Sequence, residues 1–141
     1  MNNLFKVNIS AVIFKGDKIL IQKRSLDEDV YPGLWGIPGG TMELKDKNLE
    51  ETLRREVMEE TNILIKNINI VSNNTRLKKE YSTLYVMCVA DYDNGRPEAN
   101  DGTQEILWLD IKNIDLYEFT PLTKEFILEM YDKRKSSNNS F

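Results

Sequence analysis

Glu56, Glu59 and Glu60 stand at i, i+3 and i+4 in the stretch LEETLRREVMEETNI, residues 49–63. On a helix those spacings bring side chains together on adjacent turns. At about 100° per residue, Leu49, Leu53 and Val57 form one apolar stripe; Glu56 falls within about 20° of Leu49, and Glu60 falls between Leu49 and Leu53. Glu50, Glu51, Arg54 and Met58 fall on the side or back, and Glu59 lies on the flank, one turn from Arg55. A solvated face with a Glu51–Arg55 pair accounts for the outer charges. It does not account for acids on the core side. An unpaired buried carboxylate costs several kcal/mol, and two close together drive one of them to protonate. A cation or a wet cleft must therefore compensate them; Arg55 is one candidate cation and a divalent metal the stronger one. The chain has no histidine and one cysteine, so the donor set is oxygen only, which suits Mg²⁺ or Mn²⁺ and disfavours zinc.

Mg²⁺ held by a few carboxylates keeps water and recruits phosphate oxygens. The preceding WGIPGG, residues 35–40, fits such a partner: Gly39 and Gly40 let backbone approach a ligand closely, and Pro38 stiffens the entry. A Gly-Gly pair also marks an ordinary turn. Neither a GxxxxGK[ST] phosphate loop nor a GxGxxG fingerprint is present. A lack of histidine removes the Ser-His and Cys-His nucleophile pairs. Cys88, in the apolar run LYVMCVA, reads as core packing. The net charge of −4 argues against a nucleic-acid polymer and against an acidic membrane. The N-terminus has no apolar leader and no stretch approaches a membrane span, so a cytoplasmic protein is the expectation.

These residues need a scaffold. Residues 6–14 read as a strand, Gly16 and Asp17 as a hairpin turn, and Ile19–Ile21 as the return strand. Residues 25–40 read as loop. Asn48 caps the acidic helix and Asn62 ends it. Strands follow near 63–72 and 81–91, then a polar loop over 94–102 and a strand over 105–110. Thr120 and Pro121 predict the start of a second helix running to about residue 133, with Leu122, Phe126, Ile127 and Tyr131 against the sheet. The expectation is one α/β domain over residues 1–135, a mixed sheet flanked by helices, with 136–141 as a disordered tail.

The helix and the loop before it resemble the Nudix hydrolase signature, G-x5-E-x7-R-E-U-x-E-E-x-G-U with U a bulky aliphatic residue. In GGTMELKDKNLEETLRREVMEETNI, residues Gly40, Arg55, Glu56, Val57, Glu59, Glu60 and Ile63 match. GLWGIPGG, KILIQKR and EILWLD also look like the family, so the resemblance covers most of the chain. Two positions depart from it. One extra residue separates Gly40 from Arg55 and no glutamate stands at the family's first acidic position, where it braces the arginine; Asp46 takes that place if the extra residue bulges out. Asn62 replaces the helix-ending glycine.

The resemblance implies an α/β/α sandwich that uses Mg²⁺ or Mn²⁺ to hydrolyse a nucleoside diphosphate linked to a moiety X. The products would be a nucleoside monophosphate and a phosphorylated remainder. Glu56 and Glu60 would be metal ligands, Glu59 a ligand or the base, the Gly40 carbonyl part of the metal shell, and Arg55 the residue that orients the glutamates. Glu105 is the candidate for a further acid from a later loop. Gly39, Gly40, Lys23 and Arg24 are candidates for holding the substrate, the last two equally readable as strand-end charges. Tyr31, Trp35 and Tyr85 could stack on a base or pack in the core, and Trp108 reads as packing. Dimers are frequent in the family, which makes a homodimer an expectation. The competing readings are a non-catalytic nucleotide sensor of the same fold and an interaction domain with a solvated acidic helix.

Overall fold

The computed structural model describes residues 4–137. Strands β1 (Phe5–Lys15) and β2 (Lys18–Arg24) form the hairpin, paired only at its tip, Phe14 to Ile19 and Lys15 to Lys18. Gly16 makes the turn at a φ of 60°. Beyond the tip the strands diverge, and two short strands fill the gap: β3 (Trp35–Gly36) pairs with β2, and β4 (Gly39–Thr41) pairs with β1. β3 lies inside the segment expected to be loop and β4 begins within it. Two or three residues between glycines and prolines carry no periodic signal, and only the neighbouring strands make them extended.

Helix α1 (Leu49–Thr61) follows, then β5 (Leu64–Arg76), β6 (Ser82–Asn94) and β7 (Thr103–Leu109). β5 outruns its expected range toward the hairpin that joins it to β6, and β6 outruns its range at the opposite end, where Tyr92 and Asn94 pair with Ile65 and Leu64. β6 lies parallel to β1 from Phe5 to Phe14, while β7 closes the other edge of β2. The sheet is mixed, as expected.

Alternation along β1 builds two cores. Ile9, Ala11 and Ile13 face α1, where Leu53, Val57, Val86 and Cys88 pack. Val12 and Phe14 face the other side, with Ile21, Trp35, Leu109, Ile127 and Met130. Ile127 and Met130 belong to α2 (Thr123–Ser137), so helices cover both faces of the sheet.

α2 does not begin at Thr120–Pro121. Thr120 donates its N–H to the Trp35 carbonyl at 2.8 Å, Phe119 bridges to Trp35, and a residue before proline is pushed toward extended backbone. Leu122 has a φ of 67° and is 72% exposed, so it does not pack on the sheet. A 3₁₀ turn over Ile111–Leu116, capped by Asp110, precedes this segment and has no counterpart in the sequence reading. Ser136 and Ser137, expected in the tail, are helical; the rest of that tail lies outside the described residues. No helix among the described residues is long and apolar enough to cross a membrane.

Candidate active site

Asn48 starts α1 as its spacing requires: its side-chain oxygen accepts from the Glu51 N–H at 2.8 Å. Asn62 ends it at a φ of 62°, its N–H donating to the Met58 carbonyl. Asparagine tolerates this left-handed conformation better than other non-glycine residues, so the loss of the family's glycine leaves the helix stop intact.

The helix presents Arg55, Glu56 and Glu60 toward the β4 segment. Arg55 is the hub. Its Nε donates to Asp46 Oδ1 at 3.0 Å, and its Nη2 donates to Asp46 Oδ2 at 2.8 Å and to the Thr41 carbonyl at 3.1 Å. Nη1 donates to Glu56 Oε1 at 2.9 Å and to Glu59 at 3.3 Å, and it pairs with Glu43 at 3.3 Å. A planar guanidinium with five N–H groups suits this convergence; a lysine could not fork onto Asp46. Hydrogen bonding to Asp46 holds the guanidinium even more firmly protonated than usual.

Asp46 is buried and takes up the missing brace. It accepts also from the Glu43 N–H and the Thr52 hydroxyl, each at 2.9 Å. Its bonds to Arg55, foremost, hold its carboxyl well below the usual carboxylate range. Replacing Asp46 with alanine removes two of the arginine's bonds and unties the β4–α1 loop. The expected result is a melting temperature lower by roughly 5 °C or more with a loss of activity in the folded fraction, measured by calorimetry and turnover on one preparation.

Glu60 is tucked beneath the glycine pair. Its Oε1 accepts from Gln22 Nε2 at 3.0 Å and from the Gly39 N–H at 3.2 Å. Burial pushes its pKa up to about 8, with Glu56 alongside adding to the rise. Glu56, its side chain 15% exposed, is raised for the same first reason, burial, against the lowering pull of Arg55. Glu59 is the outer member, with its side chain 40% exposed. A Cβ on Gly40 would overlap the Glu56 carboxyl group, so glycine at this position is what lets the carboxylate lie against the strand.

Among the described residues no three acidic side chains stand together at the distances a bound ion requires, and Arg55 holds Glu56 and Glu59 by hydrogen bonds. The donors nevertheless fit a hard divalent ion. Glu56 and Glu60 are adjacent, burial raises the pKa of both, Gly40 has no side chain to obstruct an approach, and the donors are all oxygen.

The NUDIX domain family model matches residues 4–130. The chain belongs to the Nudix hydrolase family. A curated relative, the Nucleoside triphosphatase NudI of Klebsiella pneumoniae (strain 342), is 31% identical over 120 residues, covering 74% of this chain and 83% of the relative. The protein of the same name from Enterobacter sp. (strain 638) is 26% identical over 129 residues, covering 82% and 91%. Among solved structures, the MutT protein from Methanosarcina mazei Go1 superposes with a TM-score of 0.72 at 21% identity, covering 96% of this chain and 98% of that one. The fold is thus the Nudix α/β/α sandwich, and the chain is a pyrophosphohydrolase of that family.

Around this Nudix helix the structure gathers some of the expected residues and separates others. Gly39, Gly40, Arg55, Glu56, Glu59 and Glu60 come together. Glu105 does not join them. It is exposed on β7, in register with Lys23, and strand alternation sends both to the face of Ile21 and Leu107, away from Gln22 and Glu60. Arg24 is turned to its own loop, Nε donating to the Val30 carbonyl at 2.8 Å with Glu28 at 3.5 Å. Trp35 is core, edge-on to Tyr117. Trp108 is partly buried against Tyr92, and Cys88 is fully buried. Tyr31 is exposed, and Tyr85 is half-buried on β6.

Two participants are absent from the sequence reading. Gln22 touches Glu60 from β2, a long-range contact that no local spacing reveals. Loop 95–102 docks on the end of α1, where the Asn100 N–H donates to the Glu60 carbonyl at 3.0 Å and the Glu98 N–H to the Thr61 carbonyl at 2.9 Å. Unpaired carbonyls at a helix C-terminus are the signal for such a partner. They anchor Glu98, an acid on the later loop, by its backbone beside the site.

Proposed function

We propose that the chain hydrolyses nucleoside triphosphates or their deoxy or oxidised forms at a pyrophosphate linkage, with Mg²⁺ or Mn²⁺ held by Glu56, Glu60 and Glu59. The observation that carries this reading is the Glu56–Glu60 pair beneath Gly39–Gly40: Arg55 pairs with Glu56, while among the described residues Glu60 has only neutral donors, an arrangement that costs stability unless a further cation approaches it. The relatives named nucleoside triphosphatase support the substrate class. When bound, the cation supplies charge neutralisation to the pyrophosphate and makes water a better nucleophile. Arg55 holds Glu56 and Glu59 in place from the inner side. Glu59, the most solvent-accessible of the three, takes the proton of the attacking water. The Gly40 carbonyl adds a neutral oxygen donor on the strand. Bond cleavage at one phosphorus then leaves a nucleoside monophosphate and a phosphorylated remainder.

The test is product release from a panel of canonical and oxidised (d)NTPs, ADP-ribose and dinucleoside polyphosphates. We expect triphosphates to be turned over with Mg²⁺ or Mn²⁺ and all activity to vanish with excess EDTA. Metal binding without turnover of any compound would make the chain a sensor, and undiminished turnover in EDTA would remove the metal from the reading.

A further inference from the structure

Both N–H donors to the Glu60 carboxylate fall on one oxygen, and the Glu56 carboxyl lies within hydrogen-bonding reach of the same group. Gln22 Nε2 and the Gly39 N–H each donate to Oε1, and Oε2 receives neither of them. A carboxylate oxygen with two N–H donors has little capacity left, so the second oxygen is the one available to a cation. Gln22 is rigidly placed for this task. Its backbone is paired on both edges, to Gly36 of β3 and to Ile106 of β7, and its side chain emerges on the α1 face like Leu20.

The other half of the Gln22 amide is unused. Its Oε1 is buried and has no hydrogen-bond partner among the described residues. An unmade buried acceptor carries a desolvation penalty. Rotating the amide would set its oxygen against Glu60 Oε1, acceptor against acceptor, and lose the hydrogen bond that Nε2 makes there. An apolar side chain at this strand position would avoid the penalty.

We propose that Gln22 is a positioning residue of the metal site, tying Glu60 by Oε1 so that Oε2 faces the cation and offering its own carbonyl to water that enters with it. This inference rests on the metal-dependent reading above. Ligand carboxylates are commonly oriented by such outer hydrogen bonds, and losing one typically costs 10–100-fold in metal affinity.

The experiment is Mn²⁺ binding to the full chain without nucleotide, followed by the electron paramagnetic resonance of free Mn²⁺. For Gln22→Met, close in length and unable to donate, we expect the Mn²⁺ Kd to rise by about 10–100-fold. The metal concentration for half-maximal turnover should rise in parallel, while the nucleotide KM at saturating metal stays within about two-fold of the parent. Gln22→Leu gives the same measurement if Gln22→Met proves unfolded by circular dichroism. Unchanged Mn²⁺ affinity in a folded variant overturns the proposal and leaves Gln22 as packing between β3 and β7. Glu60→Gln serves as the reference. If it loses Mn²⁺ while the Gln22 variants keep it, the Gln22 inference alone falls; if it binds Mn²⁺ like the parent, the metal site itself is misplaced.

Discussion

Glu60→Gln should lower turnover by roughly 10³-fold at saturating metal while the protein folds at least as well as the parent. The substitution preserves shape, and the new amide can still offer an oxygen to the Gly39 N–H and to Gln22. What it removes is a charge at the centre of the site. In the metal-free protein that charge is a burden. The Glu60 pKa rises from 4.5 to about 8, chiefly through burial. A folded-state pKa above the unfolded one means that the native state binds more protons between those values. This stabilising contribution is fully present below pH 4.5 and is lost as pH rises through 8. The metal-free parent should therefore melt at progressively lower temperature from pH 5 to 8.5, by an amount on the order of 3 kcal/mol in stability. Glu60→Gln should flatten that profile, and saturating Mg²⁺ should flatten it for the parent. Scanning calorimetry in EDTA and in Mg²⁺ reads both. Near-normal turnover in Glu60→Gln would contradict the assignment of this residue.

Gly40→Ala should cost roughly 10²-fold in kcat with the fold preserved. Gly40 does not have a positive φ, so its backbone accepts alanine; the obstacle is the Glu56 carboxyl, which a Cβ would overlap. A side-chain terminus can move, but only by leaving Arg55 Nη1 and its place beside Glu60. The neighbouring glycine makes the contrast. A Cβ on Gly39 would overlap the Ile9 carbonyl and Ser10, in the pairing of β4 with β1. Backbone in a paired strand cannot yield as a carboxylate does, so Gly39→Ala should damage folding itself. Circular dichroism and kcat on the two variants separate these outcomes. Parent-like activity in Gly40→Ala would show that Glu56 is not needed where it lies.

Much of the fold was legible along the chain because the relevant physics is local. The hairpin at Gly16, the Asn48 cap and the Asn62 stop each depend on residues within one turn of one another. Second-helix geometry was misjudged because its start depends on a distant partner. Thr120 reads as a cap in isolation, yet its N–H belongs to Trp35, more than eighty positions earlier in the chain. β3 and β4 were likewise invisible, since strands of two or three residues exist only through the neighbours that pair with them.

The candidate site divides in the same way. Residue types and helical spacing alone determined an oxygen-only acidic cluster with Glu56 and Glu60 turned inward, a donor set of the kind that suits hard divalent ions. Tertiary structure alone decided which distant groups serve it. It brought Asp46 to Arg55 in place of the absent glutamate and set Gln22 against Glu60. Glu105 it sent to the opposite face, while Glu98 was anchored at the helix end. The physical reason is that helix spacing fixes directions within one element, whereas strand register and loop docking, which are settled by the packing of the whole sheet, fix which elements meet.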